Sequence, residues 1–158
     1  MEEIIKKSAV PAMPSEIRIQ YANKEFNIGE DTEIKDLSEA GVRDIVEKVR
    51  NGRYESLYLT PNEDGEIEEG FFQLESAGGD GLIFLQISRE EECTAWACFN
   101  PEYLNSDEIS PIECSDGQSE IGMKITMRDR ELAAKCVEWY AHTLEPYPGM
   151  DWLKESFS

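Results

Sequence analysis

Residues able to do chemistry are few in this chain, and their spacing suits no familiar reaction. His142 is the single histidine. Nucleophilic catalysis of the Ser-His-Asp or Cys-His type needs an imidazole within hydrogen-bond reach of the nucleophile. His142 sits with Lys135 and Glu138 on the charged side of a helical stretch, a pattern that predicts a surface residue. Cysteines stand at Cys93, Cys98, Cys114 and Cys136. Zinc sites favour closely spaced ligand pairs. Cys93 and Cys98 are five residues apart on a strand-like run, and an odd offset sends their side chains to opposite faces. Four cysteines in 158 residues is also thin for a disulfide scaffold. Reduced thiols packed as small hydrophobes are expected. The turn Asn62–Gly65 is no calcium loop. With Gly65 at the sixth position, the first and twelfth are Thr60 and Phe71, and neither is a carboxylate. Gly78-Gly79-Asp80-Gly81 joins two strand-like runs with no helix after it, so it reads as a hairpin connection and not as a dinucleotide fingerprint. The chain is therefore expected to be a non-enzyme, with no catalytic residue, no metal and no cofactor.

What remains is charge. The chain has 34 Asp and Glu against 15 Lys and Arg, a net charge of −19. From Tyr54 to Met123 there are 17 acids and one base, Arg89, so this span carries −16 of the total. Mixed charges would give solubility without the self-repulsion that a one-signed field costs. Such a field speeds encounter with a basic partner and disfavours others. It also repels nucleic acid and anionic lipid, so neither is an expected partner. The densest clusters are the candidate partner-binding residues: Asp64, Glu66, Glu68 and Glu69, then Glu90, Glu91 and Glu92. Asp107 and Glu108 form a smaller cluster.

The elements that would position these acids follow from periodicity. Residues 1–16 read as a flexible N-terminal arm, and residues 17–158 as a single domain. Ile17–Tyr21 alternates and is expected to pair with Glu25–Ile28 across a turn at Asn23-Lys24. Ser38 can cap a first helix in which Val42, Ile45, Val46 and Val49 share a face, and Asn51-Gly52 stops it. Glu39 with Arg43 and Asp44 with Lys48 are spaced to pair along its wet side. Four strand-like runs follow: Tyr54–Thr60, Phe71–Ser76, Leu82–Ser88 and Cys93–Phe99. The third is apolar on both faces, as a central strand would be. Asn100–Glu120 reads as irregular, and Ile121–Met127 as a further strand. Thr126 and Asp129 offer a capping box for a second helix, with Leu132, Cys136, Trp139, Tyr140 and Thr143 along one face. Asp151-Trp152-Leu153 closes the chain. The fold class is α+β: an antiparallel β-meander of about five to six strands packed with two main helices.

The C-terminal part supplies a resemblance. A strand-like run (Ile121–Met127) leads into Glu131-Leu132-Ala133-Ala134-Lys135-Cys136-Val137-Glu138-Trp139-Tyr140, then Pro146 and Trp152. With the Gly-rich connection and the runs between Leu82 and Phe99, this resembles the Imm1-like family of bacterial immunity proteins over roughly residues 54–155. The resemblance implies a protein that neutralises a cognate toxin of a polymorphic or contact-dependent system, such as a nucleic-acid deaminase or nuclease, by blocking its active site. A toxin of that kind presents a basic groove to phosphates, which an acidic face can occupy. The expected partner is thus a basic, nucleic-acid-acting toxin. Alternative readings are an acidic nucleic-acid mimic or a secretion chaperone, and then a carboxylate-metal hydrolase. With acids at the start and no long apolar run, a cytoplasmic location without a membrane segment is expected.

Overall fold

A computed structural model describes residues 2–25, 31–34, 37–61, 70–77, 81–89, 92–114 and 119–156. In chain order the elements are β1 (Glu2–Ile5), β2 (Ile19–Glu25), β3 (Asp31–Ile34), α1 (Glu39–Arg50), β4 (Tyr54–Pro61), β5 (Phe71–Ser76), β6 (Ile83–Arg89), β7 (Thr94–Cys98), β8 (Ile109–Cys114), β9 (Ser119–Gly122), α2 (Arg130–Thr143) and β10 (Trp152–Ser156). The class is α+β, with an antiparallel sheet and two helices, as the periodicity implies. β4 to β7 form the expected meander with β6 in its interior. The sheet extends further, to eight strands in the order β1-β10-β7-β6-β5-β4-β2-β3.

α1 forms where its pattern predicts. The Ser38 hydroxyl accepts from the Gly41 N–H at 3.1 Å, and Asn51 ends the helix. Val42, Ile45, Val46 and Val49 are buried, and Lys48 pairs with Asp44 at 3.3 Å. Both helices pack on one face of the sheet. Their apolar sides meet Leu57 and Leu59 of β4, Phe72 and Leu74 of β5, and Leu85 and Ile87 of β6. Phe72 and Tyr140 pack in a tilted arrangement with ring centroids 5.3 Å apart.

Several expectations need correction. Within the stretch set apart as an arm, Glu2–Ile5 is an edge strand of the sheet, in register with Trp152–Glu155. Backbone amides of the next residues are also held: Lys7 N–H donates to Asp151 Oδ1, and Ser8 N–H to the Pro148 carbonyl, each at 2.7 Å. Asn23-Lys24 is not a turn, because β2 runs straight through it and pairs with β3 on one side and β4 on the other. Asn100–Glu120 is only partly irregular. It holds a 3-10 turn at Pro101–Tyr103 and strand β8, which pairs with β9 as a separate hairpin. The strand expected over Ile121–Met127 ends at Gly122. A 3-10 turn, Met123–Ile125, interrupts it, and Met127 rejoins the sheet through a single bridge to Ile83. Thr126 is no cap: its buried hydroxyl donates to the Met123 carbonyl, and Asp129 caps α2 by accepting from the Leu132 N–H.

α2 is buried over more of its surface than its pattern suggests, because the segment around Glu16 to Arg18 folds against its end. His142 is only 7% exposed, and its Nδ1–H donates to the Glu16 carbonyl at 2.7 Å. The Arg18 N–H donates to the Ala141 carbonyl, one of the carbonyls that a helix C-terminus leaves without an intrahelical partner. The lone histidine therefore fastens the chain and does not lie on the surface.

Candidate functional site

The helices cover one face of the sheet, and the β8–β9 hairpin covers part of the other. Ile112, Ile121 and Met123 pack there on Leu82, Phe84 and Ala97 as a second, smaller core. Between this cover and the β7–β10–β1 side of the sheet lies an open cleft of about 410 Å³, within the usual range of roughly 300–1,000 Å³ for small binding sites. Strand alternation builds its floor. On β7, Trp96 and Cys98 point to the helix side, and Ala95 and Ala97 point to the cleft. Two methyl groups in succession, beside Gln86 of β6, leave a hollow that larger side chains would fill. Leu153, Ile125 and Ile109 make its apolar walls, and Ile109 is 50% exposed.

The rim is acidic. Glu2, Asp107, Glu108 and Glu155 line the cleft, against the one ammonium of Lys124. Glu2 and Glu155 are register partners across β1 and β10, and like charges placed directly opposite destabilise a sheet. Lys124 relieves this pair from across the cleft, with its Nζ 3.2 Å from Glu2 Oε2. Among the described residues no base pairs with Asp107, Glu108 or Glu155. The opposite wall is held by its backbone. The Glu108 N–H donates to Ser106 Oγ, and its carbonyl accepts from the Met123 N–H at 2.8 Å. The Lys124 carbonyl accepts from the Asn100 N–H at 2.8 Å. The arrangement offers a mainly apolar slot with three carboxylates that no base pairs with among the described residues. That suits a ligand with an aliphatic body and a positive end.

Of the residues singled out by charge density, Asp64, Glu66, Glu68, Glu69, Glu90 and Glu91 lie outside the described residues. Glu92 lies between β6 and β7, and its carboxylate is 3.7 Å from Arg89 Nη1. Arg89, the one base of the acidic span, is itself engaged. Its Nη2 donates to the Leu144 carbonyl and meets Glu145 Oε2, both at 2.8 Å, and its guanidinium lies 4.9 Å from the Trp96 ring centroid. It thus fastens the C-terminal end of α2 to the sheet. Leu144 there adopts a left-handed conformation with φ 61°.

A second polar group lies under the same sheet face. Glu75 is 5% exposed. The Tyr58 hydroxyl donates to its Oε1 at 3.1 Å, and Gln73 Nε2 donates both to the Tyr58 oxygen and to Glu75. Alternation in β4 and β5 marks these three as facing away from the helices. Only the tertiary structure buries Gln73 and Glu75.

Burial, not reactivity, governs two of the thiols. Desolvation pushes Cys98 up to about 12 from an ordinary 9.0 and raises Cys136 well above it. Cys93 departs from the expectation of a buried thiol: it is exposed, with a left-handed φ of 51°. Among the described residues, no group of three or more His, Cys, Asp or Glu is placed to hold a metal ion, and no helix is long and apolar enough to cross a membrane. The cleft escapes a sequence reading because Glu2 and Glu155 come from opposite ends of the chain. Its local signals are the adjacent acids Asp107 and Glu108 and the alternation of Ala95 and Ala97 with Trp96 and Cys98. Comparison with family models, curated proteins and solved structures finds no match for this chain.

Proposed function

We propose that this chain is an immunity-type inhibitor, a binding module that neutralises a basic, nucleic-acid-acting toxin in the cytoplasm. The observation that carries the reading is the acid-rimmed cleft: Asp107, Glu108 and Glu155 line a mainly apolar floor, and among the described residues no base pairs with them. A net charge of −19 adds a long-range field that draws in a cationic protein and repels nucleic acid. A protein that cuts or modifies nucleic acid needs a basic groove for phosphates. A fixed set of carboxylates can take the phosphates' place there, and the apolar floor adds contact area that a polyanion lacks.

The test is binding of the purified chain to the product of the adjacent gene, with that product's activity on nucleic acid as the second readout. A stoichiometric complex that abolishes the activity, and whose association slows as salt rises from about 0.05 to 0.5 M, is expected. An adjacent product that is not basic, or association that salt leaves unchanged, overturns the reading.

A further inference from the structure

We infer that the cleft is a receptor for one basic side chain, lysine or arginine, carried on an extended segment of the partner protein. The inference rests on the reading of the chain as an inhibitor of a basic protein, and it names the group that reading leaves open. Long basic side chains have an aliphatic stem and a charged tip, and they lie along apolar surface with the tip in a polar environment. The cleft has the same division. Ala95, Ala97 and Leu153 offer the apolar surface, and Asp107, Glu108 and Glu155 stand at its edge.

The protein already places one such group there. Lys124 lines the cleft, and its Nζ lies 3.2 and 3.4 Å from the two oxygens of Glu2. This internal pair satisfies Glu2 and leaves three carboxylates for an incoming cation. A cationic side chain gains attraction from them, a neutral one gains none, and an acidic side chain or an anion would be repelled. The backbone of the wall is fixed by the hydrogen bonds of Glu108 and Lys124, so the ordering cost of entry falls on side chains and not on the main chain. A free polyamine shares the aliphatic-cation chemistry, but it gains nothing from Ile109, half exposed at the mouth and placed to meet a neighbouring apolar side chain of a peptide.

The experiment uses the full chain, labelled with nitrogen-15, and a capped eight-residue peptide of alternating leucine and lysine. Amide shifts are expected at 95–97, 106–109, 122–124 and 153–155. The same peptide with acetylated lysines should bind at least about tenfold more weakly. The triple variant Asp107→Asn, Glu108→Gln and Glu155→Gln should weaken the unmodified peptide by a similar factor while its amide spectrum away from the cleft keeps the folded pattern. Shifts centred elsewhere, or full affinity in the triple variant, overturn the cleft as the receptor. Spermidine binding the cleft as tightly as the peptide overturns a protein side chain as its occupant. With the basic toxin itself, loss of binding only in the triple variant supports the cleft. Undiminished binding in that variant removes the cleft and leaves the inhibitor reading standing. No binding by the wild-type chain removes the inhibitor reading instead.

Discussion

Arg89 shows how one residue can be structural in a span otherwise made of acids. Its guanidinium closes the end of α2 through the Leu144 carbonyl and Glu145 and lies against Trp96. Its side chain is 24% exposed, so part of the interaction is screened by water. Arg89→Ala is expected to lower unfolding free energy by about 1–3 kcal/mol in urea titration. Arg89→Lys should recover only part, because an ammonium cannot reproduce the planar fork. The thiols give a second test at this scale. Cys93 should be alkylated rapidly in the native protein. Cys98 and Cys136 should stay unmodified until unfolding, as peptide mapping by mass spectrometry would read. Their raised values also carry a sign. Below about pH 9 both states hold the proton and the contribution is complete. Above it the unfolded thiol ionises first, so stability falls as pH rises toward the folded value of about 12 for Cys98. The slope approaches about 1.4 kcal/mol per pH unit per thiol, and Cys98→Ala should flatten it.

At the scale of elements, α1 and β10 differ in what holds them. α1 is specified locally: a capping serine, four apolar residues on one face and a stop at Asn51. α2 has the same kind of cap in Asp129, and Asp129→Ala should cost about 1 kcal/mol, measured by chemical denaturation. β10 depends on its neighbours. It lies between β1 and β7, with Trp152 only 1% exposed and its Nε1–H donating to the Tyr147 carbonyl at 2.8 Å. Trp152→Ala removes a large buried ring and leaves that carbonyl without its donor. A loss of about 3–5 kcal/mol is expected in the same measurement. Values near zero would mean that the C-terminal strand is not integral to the sheet.

For the whole molecule, 34 acids on an 18.0 kDa chain make self-repulsion a standing cost. The described ion pairs are few, and exposed ones such as Arg50 with Glu47 and Glu131 contribute little. Screening should therefore help more than it harms. The urea midpoint should rise between about 0.01 and 0.3 M salt, as the Debye length shrinks from about 30 Å to below 8 Å. A falling midpoint would place the balance with the ion pairs. The same screening should slow association with a basic partner, so salt is expected to move stability and binding in opposite directions.

Much of this architecture was legible in local pattern. The Val42 to Val49 stripe, the Asn51-Gly52 stop and the runs of β4 to β7 follow from side-chain geometry that repeats every two or 3.6 residues. The charge imbalance is legible too, as a matter of counting. Other features had no local trace. Ile121–Met127 alternates like a strand, yet Met123–Ile125 coils into a 3-10 turn, with Met123 packed in the smaller core and Lys124 paired with Glu2. His142 has charged neighbours, yet it is buried because the segment at Glu16 lies over it. The cleft depends on closure between the chain's two ends, β1 beside β10, with a hairpin from the middle of the sequence forming its other wall. Periodicity reaches only a few residues along a strand or helix. Which edge is extended, which polar face is covered and which carboxylates meet are set by contacts more than a hundred residues apart in the sequence, and those exist only in the folded chain.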